Sequence, residues 1–449
     1  MASDRKGAGR NGRAPMTRGV FAAAFAGTAL ASYDDHIFGV ASALVLGELF
    51  FPRFDATAAA LASFLTYAVG FVARPVGAAV VGRFGDRAGR RPMLILTLLL
   101  TGGATFLIGA LPTHAAIGVA APLLLVLLRV AQGFGVAGEW GGAVLIAVEH
   151  APPARRSAWG AFAQYGVPIG VLTSNLAFLA VAALPDDAFT SYGWRLPFLF
   201  SAVLVVLGLL VRLRLPESPH FAALKRAGAV AAAPLRELAA RHRHNILWGA
   251  LAATAPPALG YLLTVYLLGH GVRQAGFERD TLLTLVLLAT LVWAAAIHGA
   301  ARLADRIGAR RVYLIGAAVA VIWPVPMFAL VDTGEAGPAL AAFTVAAVVL
   351  GMLTGAQGGL FAELFDARVR YSGISIAYTA GGVLGGVVTP LAASALFLAS
   401  GSGTVVAGFV AALSLAALVG VARLRAAGED PGPAERRVRS FRTLLRRTG

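Results

Sequence analysis

The chain contains no cysteine, only two lysines and few charged residues for its 449 positions. Without cysteine it cannot form a disulfide or offer a thiolate to a metal ion. Neither Lys6 nor Lys225 stands before Ser or Thr, so the Gly-Lys-Ser/Thr loop that cradles nucleotide phosphates is excluded. The zinc-protease pattern HExxH and the serine-hydrolase pattern GxSxG are missing as well. We therefore expect neither an enzyme nor a bound metal or cofactor.

What the sequence has in abundance is apolar residues. Hydrophobic residues make up 58% and charged residues 13%, whereas soluble domains carry roughly 25% charge, and the mean hydropathy is +0.75. This composition is that of an integral membrane protein. The apolar runs are long enough for membrane helices and predict an all-α fold with twelve transmembrane helices. The predicted spans are residues 19–46, 57–82, 92–112, 117–149, 157–184, 195–213, 245–269, 281–301, 312–331, 337–362, 372–398 and 403–422.

The positive charge follows the predicted topology. A net charge of +16 would fit a nucleic-acid-binding protein, but the basic residues are concentrated in every second connection between spans. The positive-inside rule then places both termini in the cytoplasm, and no nucleic-acid partner is expected. The basic connections include Arg83, Arg87, Arg90 and Arg91, then Arg155 and Arg156, then Arg212, Arg214, Lys225, Arg226, Arg236, Arg241 and Arg243, then Arg302, Arg306, Arg310 and Arg311, then Arg368 and Arg370.

The longest polar segment inside the chain, residues 216–244, divides the predicted spans into six and six, an arrangement from which many transporter folds are built. We therefore predict a cytoplasmic tail, a six-helix bundle, a cytoplasmic linker, a second six-helix bundle and a basic cytoplasmic tail. Their bounds are 1–18, 19–215, 216–244, 245–425 and 426–449. The last tail spaces Val438, Phe441, Leu444 and Leu445 as an amphipathic stripe, which either lies on anionic lipid or is disordered.

Two basic loops of the first half are repeated in the second. GRFGDRAGRR at 82–91 corresponds to ARLADRIGARR at 301–311, and EHAPPARRS at 149–157 corresponds to ELFDARVRYS at 363–372. An Asp that follows a helix can accept hydrogen bonds from helix N-termini and arginines, and breaking them would open the cytoplasmic side. The alternative is a loop that only anchors the topology. The predicted gate comprises Gly82, Gly85 and Glu149, Asp86-Arg87 matched with Asp305-Arg306, Arg90-Arg91 matched with Arg310-Arg311, and Glu363 matched with Glu149.

These loop motifs resemble those of the major facilitator superfamily. Five further segments are similar to its metabolite:proton symporter family, the permeases of proline/betaine, citrate, α-ketoglutarate and shikimate. The resemblance implies a monomeric plasma-membrane transporter that imports a small organic acid or zwitterion with protons by alternating access. The alternatives are a proton-independent facilitator, an exporter and a ligand sensor. The segments are YAVGFVARPVG (67–77), LLRVAQGFGVAGEWGGAVLIAVEHAPPARR (127–156), YGWRLPFLFS (192–201), LRLPESPHF (213–221) and RYSGISIAYTAGGVLGGVVTPL (370–391).

Predicted helix 4 carries the most informative polar residues. Arg129 and Gln132 lie three residues apart, and Trp140 returns to the same helix face. The resemblance places this Arg-x-x-Gln-Gly pattern in the central cavity, where the guanidinium would bind a substrate carboxylate or an acid of helix 1. A permanent structural ion pair is the alternative. Glu139 is either a proton carrier or a helix-packing ligand, and Arg74 on helix 2 either lines the cavity or reaches the cytoplasmic interface.

Other polar side chains on the predicted helices are candidates for substrate contacts. For each of them the alternative is an ordinary hydrogen bond between helices. These candidates are Tyr33, Gln164, His298, Gln357 and Tyr378.

The segment ASYDDHIFG at 31–39 places three ionisable residues in the first span, where a charge costs several kcal/mol. The family pattern has an acid where this chain has Ala31, and Asp35 lies one helical turn further on nearly the same face. We therefore predict a relocated carboxylate, with a local pair of Asp35 and His36 as the alternative. A desolvated carboxyl group takes up a proton readily, and its neutral form would release Arg129 to bind an anionic substrate. The first candidate for this proton carrier is Asp34, and its rivals are Asp35, His36 and Glu139.

Overall fold

The computed structural model describes residues 13–427 and contains no β-strand in that range. The amphipathic stripe predicted in the C-terminal tail lies outside the described residues, as does most of the predicted N-terminal tail. We label the long helical stretches α1 to α12 in chain order.

The stretches are α1 Arg13–Leu44, α2 Ala56–Ala88, α3 Arg90–Ala110, α4 Ala120–His150, α5 Arg156–Gly160 with Phe162–Ala182, α6 Arg195–Leu213, α7 Arg243–Arg273, α8 Arg279–Ile307, α9 Ala309–Ile322 with Pro324–Val331, α10 Ala336–Ala362, α11 Arg370–Ser400 and α12 Gly403–Arg423. Short helices lie between them at Leu46–Phe50, His114–Ile117, Asp186–Ala188, Phe189–Gly193, Pro219–Arg226 and Pro234–Arg241. The first half of the protein comprises α1 to α6, and the second half comprises α7 to α12.

Within the described range, ten of these stretches are long and apolar enough to cross a membrane, and the bent pair that forms α9 makes eleven. The two parts of α9 meet at 49°. Pro324 begins the second part, and its missing backbone N–H removes a helical hydrogen bond there. The remaining stretch is α1, which is 32 residues long and contains Asp34, Asp35 and His36.

Two helices continue further than the apolar runs predict. Residues 82–91 were expected as a loop, but α2 runs to Ala88 and breaks at Gly89, whose φ of 118° is accessible to glycine and strained for other residues. The second half repeats this break at Gly308, with φ 98° between α8 and α9. Asp86 and Asp305 therefore lie in the last turns of α2 and α8, three residues before each break.

The breaks also correct the predicted pairing of arginines. Counted from Gly89 and Gly308, the equivalent of Arg90 is Ala309, and the equivalent of Arg91 is Arg310. The contacts agree, because Arg91 donates to the carbonyl of Leu213 near the end of α6 at 2.5 Å, and Arg310 donates to that of Ala422 near the end of α12 at 2.8 Å. The predicted match of Arg90 with Arg310 was wrong by one residue.

Each half is a bundle of closely packed helices. In the first, α1 packs on α5, α4 on α2 and α3, and α6 on α3; in the second, α10 packs on α8 and α9, and α12 on α7 and α9. The halves meet where α2 crosses α11 and where α5 contacts α8 and α10. At the first crossing a Cβ on Gly82 would lie 2.6 Å from the Ser372 Cα, so only glycine fits. We call the end that carries Gly89 and Gly308 the basic end, after its arginine-rich loops.

Candidate functional site

The centre of the site is a carboxylate shared by two arginines on three helices. Asp35 of α1 forms an ion pair with Arg74 of α2, and its other oxygen lies 3.3 Å from the Arg129 Nη2 of α4. The Asp35 side chain is 14% exposed, that of Arg74 15% and that of Arg129 1%. Asp35 therefore faces a partly open space, with Arg129 buried behind it.

Side chains of α1, α2 and α4 contact the Arg129 guanidinium. Its guanidinium donates to Gln132 one turn along α4, and the Gln132 amide donates to the Thr105 hydroxyl of α3 at 2.8 Å. The guanidinium carbon lies 4.3 Å from the centre of the Phe38 ring and 4.8 Å from that of Tyr67, a favourable placement for a cation. The Arg-x-x-Gln pattern, whose spacing predicts one shared helix face, thus forms one connected unit.

Arg74 lines a cavity between the two halves. The cavity has a volume of about 110 Å³ and is bordered by Phe71, Arg74 and Val136 of the first half, and by residues of α7 and α11. Among the latter is Tyr378, whose ring stacks on Trp140 with centroids 3.8 Å apart. Of the predicted substrate ligands, Arg74 and Tyr378 therefore border the cavity directly, and Trp140 supports Tyr378 from α4.

The other ionisable residues of the α1 segment point elsewhere. Asp34 is completely buried, and neither of its carboxylate oxygens has a hydrogen-bond partner within the described part of the chain. His36 interacts through Nδ1 with the carbonyl of Ser32 at 2.8 Å. Tyr33, predicted as a substrate ligand, donates its hydroxyl to the Pro197 carbonyl of α6 at 2.8 Å. Successive helical residues are about 100° apart. Of Asp34, Asp35 and His36, only Asp35 therefore forms an ion pair with the two arginines.

Glu139, predicted as a possible proton carrier, lies in an ion pair inside the first half. Its carboxylate binds the Arg212 guanidinium of α6 and accepts a hydrogen bond of 2.8 Å from the Thr97 hydroxyl of α3. Ten residues of helix separate it from Arg129, or about 15 Å along α4. The pair occupies the space beside Gly27, where a Cβ would overlap both side chains. This geometry is that of a helix-packing ligand.

At the basic end, Asp86 ties the two halves together. Its carboxylate accepts hydrogen bonds of 3.0 Å from the backbone amides of Tyr371 and Ser372, and one of 2.7 Å from the Ser372 hydroxyl. These amides belong to the first turn of α11, where helices leave their N–H groups unpaired and favour a negative charge. Gly85 allows the Tyr371 ring to lie against α2, since a Cβ there would come within 1.9 Å of it.

A buried charge network continues from this contact. The Arg90 guanidinium is fully buried, 3.7 Å from Asp86 and 3.5 Å from Glu149, and it donates to the carbonyl of Ala367 in the second half at 3.2 Å. From the second half, Arg370 approaches Glu149 to 3.4 Å. Two arginines and two carboxylates thus connect the halves at this end.

The linker supplies three residues of this network that sequence reasoning missed. Glu217 accepts hydrogen bonds of 3.0 and 3.2 Å from the backbone amides of the first two residues of α3. Ser218 donates its hydroxyl to Glu149, and the Phe221 ring lies 5.1 Å from the Arg90 guanidinium. The segment PESPHF contains all three. Its one sequence feature that predicts local structure is the serine before a proline that begins a short helix.

The second half repeats the carboxylate contact without the buried network. Asp305 accepts hydrogen bonds of 2.8 and 3.1 Å from the backbone amides of Ser157 and Ala158 at the start of α5. Because Ala309 replaces the buried arginine, this loop has no counterpart of the Arg90 contacts. Four residues predicted for the gate have exposed side chains, and their role in a gate stays a prediction. They are Arg87, Arg306, Arg310 and Glu363.

Three further predicted ligands form hydrogen bonds between the halves. The Gln164 amide of α5 donates to the Gln357 carbonyl oxygen of α10 at 3.0 Å. His298 of α8 lies 2.9 Å, through its Nδ1, from the Tyr165 hydroxyl of α5. All of these contacts involve α5, the counterpart in the first half of α11. They hold the second crossing of the halves rather than the cavity wall.

Comparison with known proteins gives the family. Residues 22–383 match the model of the Major Facilitator Superfamily. The chain belongs to the Major Facilitator Superfamily. The resemblance inferred from the loop motifs is thus confirmed, and since the members of this family are transporters, the chain is a multi-pass membrane transporter and not an enzyme.

The transporter has curated relatives of similar length. It is 39% identical over 408 residues to the inner membrane metabolite transport protein YhjE of Escherichia coli, covering 90% of this chain and 91% of that protein. It is 38% identical over 376 residues to the shikimate transporter of Escherichia coli, with 83% and 86% covered. The proline/betaine transporter of Salmonella typhimurium is 28% identical over 391 residues, with 84% and 77% covered.

Solved structures confirm the fold of the transporter. The proton:xylose symporter XylE, bound to 6-bromo-6-deoxy-D-glucose, superposes with a TM-score of 0.75 at 16% identity, covering 90% of this chain and 95% of that one. FucP in its outward conformation gives a TM-score of 0.64 at 16% identity, covering 90% and 98%. At this identity the likeness concerns the fold alone.

We expect neutralising Glu139 to lower the stability of the transporter and to leave the response of uptake to a pH gradient unchanged. Glu139→Gln leaves the buried Arg212 without its charged partner, which costs about 3–5 kcal/mol in such pairs. We expect a lower thermal unfolding midpoint in detergent, and we expect the double variant Glu139→Gln/Arg212→Gln to recover part of the loss. If instead the single variant is as stable as the parent and uptake no longer responds to a pH gradient, Glu139 is a proton carrier.

Proposed function

We propose that this transporter imports a small organic acid together with protons by alternating access. The observation that carries the proposal is the Asp35 carboxylate, held between Arg74 and Arg129 beside a cavity between the halves. An arginine whose counter-ion can be neutralised by a proton becomes a site for an anionic substrate. The names of the relatives, which include a shikimate transporter, support a small metabolite as the cargo.

The proposed topology has twelve spans, because α1 is added to the eleven stretches that are long and apolar enough to cross a membrane. Both termini then lie in the cytoplasm. An ionisable residue in a span is tolerated where it faces the interior of the bundle, as Asp35 does through its ion pairs with α2 and α4. The arginine-rich basic end is then cytoplasmic, and the protein lies in the inner membrane, as the name of its relative YhjE states for that protein. We further propose that each half moves as a unit and that the monomer is functional.

The coupling step begins with a proton taken up by Asp35 from outside. The charged and titratable groups around it are Arg74, Arg129, Asp34, His36, Tyr67 and Tyr378. Once neutral, Asp35 binds the guanidinium groups weakly, and the substrate carboxylate takes its place on Arg74. The geometry favours Asp35 over Asp34 for this role, because Asp35 forms ion pairs with both arginines, whereas among the described residues Asp34 interacts with Arg129 only at longer range.

Release to the cytoplasm requires the basic end to open. Both contacts that close it have the same form, in which a carboxylate of one half accepts the first amides of a helix of the other. Breaking them separates α2 from α11 and α8 from α5. The proton and the substrate then leave together, and the Asp35 ion pairs form again in the empty transporter.

Uptake into proteoliposomes under an imposed pH gradient tests the proposal. Labelled shikimate, citrate, α-ketoglutarate, proline and betaine are compared, with and without a protonophore. Accumulation of one compound above its outside concentration, abolished by the protonophore, is the expected result. Uptake that only reaches equilibrium indicates a facilitator, and binding without any flux indicates a ligand sensor; either result contradicts symport.

A further inference from the structure

Most of the described residues that line the cavity between the halves are apolar. Val136 of α4 borders it from the first half, Ala253 and Pro257 of α7 border it from the second, and α11 adds Gly382 and Gly386. Its volume of about 110 Å³ is room for a few water molecules, since each occupies about 30 Å³ in the liquid, or for one small organic molecule.

Among the described residues that line this cavity, Arg74 is the only charged one. Its guanidinium carbon lies over the Phe71 ring, 3.8 Å from the ring centre, and its Nε has no hydrogen-bond partner among the described residues. Its Nη2 pairs with Asp35 in this structure, so the planar N–H edge becomes available to bind one substrate carboxylate through two hydrogen bonds once Asp35 is protonated. Arg129 donates to Gln132 and lies against two aromatic rings, and it is not among the described residues that line the cavity. The cavity thus offers one carboxylate site.

Few hydroxyl groups of a ligand would find partners here. The Thr379 hydroxyl already donates to the carbonyl of Ser375 at 2.7 Å, so apart from Arg74 the Tyr378 hydroxyl is the remaining side-chain donor among the described residues of the lining. A buried polar group without a hydrogen bond is costly, so a polyhydroxylated ring fits this wall poorly. An aromatic or aliphatic ring packs well against Phe71 and Tyr378.

We propose that the substrate is a monocarboxylate with an apolar ring or branched body, and that it binds with its carboxylate on Arg74 and its body against Val136, Pro257 and Tyr378. This inference rests on the proposed function and narrows its substrate class. It separates this transporter from its relative named for shikimate, a ring carboxylate that carries three hydroxyl groups.

Counterflow in proteoliposomes tests the inference with a matched pair of ligands. Cyclohex-1-ene-1-carboxylate has the ring and carboxylate of shikimate without the hydroxyl groups. We expect it to exchange with an apparent affinity at least about tenfold higher than that of shikimate, since a single added hydroxyl in an apolar pocket can cost up to about a hundredfold. Counterflow needs no proton gradient, so the outcome does not depend on whether transport is coupled.

A variant of the wall gives a second readout. Val136→Thr replaces one methyl with a hydroxyl inside the cavity and should shift the preference towards shikimate by about threefold or more. Val203→Thr, at a half-exposed position on the outer face of α6, is the matched control, and we expect no shift there. A preference that moves equally in both variants would contradict a direct contact with Val136.

The remaining outcomes separate this inference from the proposed function. Equal or tighter binding of shikimate overturns the inference. Exchange of citrate, α-ketoglutarate, proline or betaine without exchange of either ring acid also overturns it and leaves organic-solute transport standing. Exchange of no compound at all overturns the proposed function and this inference with it.

Discussion

Asp35→Asn is expected to abolish accumulation driven by a pH gradient while substrate exchange continues. Asparagine has the shape of aspartate but cannot carry a proton, and it leaves Arg74 and Arg129 permanently without their carboxylate. We expect accumulation in proteoliposomes to fall at least tenfold, towards simple equilibration, and counterflow to persist. The reason is that the site for the substrate anion is open at all times, while the step that links it to the proton is lost.

Two matched carboxylate variants make this result decisive. Asp34→Asn tests the neighbouring buried acid, and Asp187→Asn, at an exposed position outside the long helices, serves as the control that should behave like the parent. If Asp34→Asn removes accumulation and Asp35→Asn does not, the carrier is Asp34 and the Asp35 ion pairs are structural. Accumulation that survives in both variants leaves neither residue as the carrier.

The sequence was informative where a physical constraint acts along the chain. Burying an acid in a membrane span is costly, so the Asp-Asp-His segment predicts that α1 carries an ionisable site. The acid one turn after Ala31 also proved to be the one beside Arg129. Helical spacing similarly predicted that Arg129 and Gln132 share one helix face, and the repeated Asp loops predicted equivalent positions for Asp86 and Asp305.

What the sequence left open depends on contacts between distant segments. The position of Arg212 near the end of a span predicts a loop arginine. Its side chain is instead fully buried and binds Glu139, which lies 73 positions earlier in the chain. Glu217 and Ser218 lie in a polar linker that gives no sign of its docking at the start of α3. The pairing of Arg90 with Arg310 failed because two similar basic loops can be aligned in either register until the positive φ of Gly89 and Gly308 fixes it.

The two closing contacts at the basic end differ in strength although they share one design. Asp86 has three hydrogen-bond donors and a buried arginine within 3.7 Å. Asp305 has two backbone donors, and an alanine stands where the arginine would be. Since hydrogen bonds to charged groups contribute about 1.5–3 kcal/mol each, the first contact should dominate the closed state. The proposed gate is therefore asymmetric, although the fold is repeated.

Asp86→Asn is accordingly expected to open the basic end. The amide cannot accept the three hydrogen bonds at the start of α11 as a carboxylate does, and Arg90 loses one of its two acidic partners. Because the chain has no cysteine, a single Ser375→Cys reports this directly. Ser375 is fully buried where α11 contacts α4, and we expect its maleimide labelling rate to rise at least tenfold in the Asp86→Asn background.

Two comparisons decide whether this opening is a gate movement. Ser414→Cys is fully buried within α12 of the second half, and its labelling should not change, whereas unfolding would raise the labelling of both sites. Asp305→Asn should raise the labelling of Ser375→Cys less than Asp86→Asn does, because its contact lacks the buried arginine. An equal or larger effect of Asp305→Asn would mean that the α5–α8 crossing controls the closed state, and that the Arg90 network only stabilises the fold.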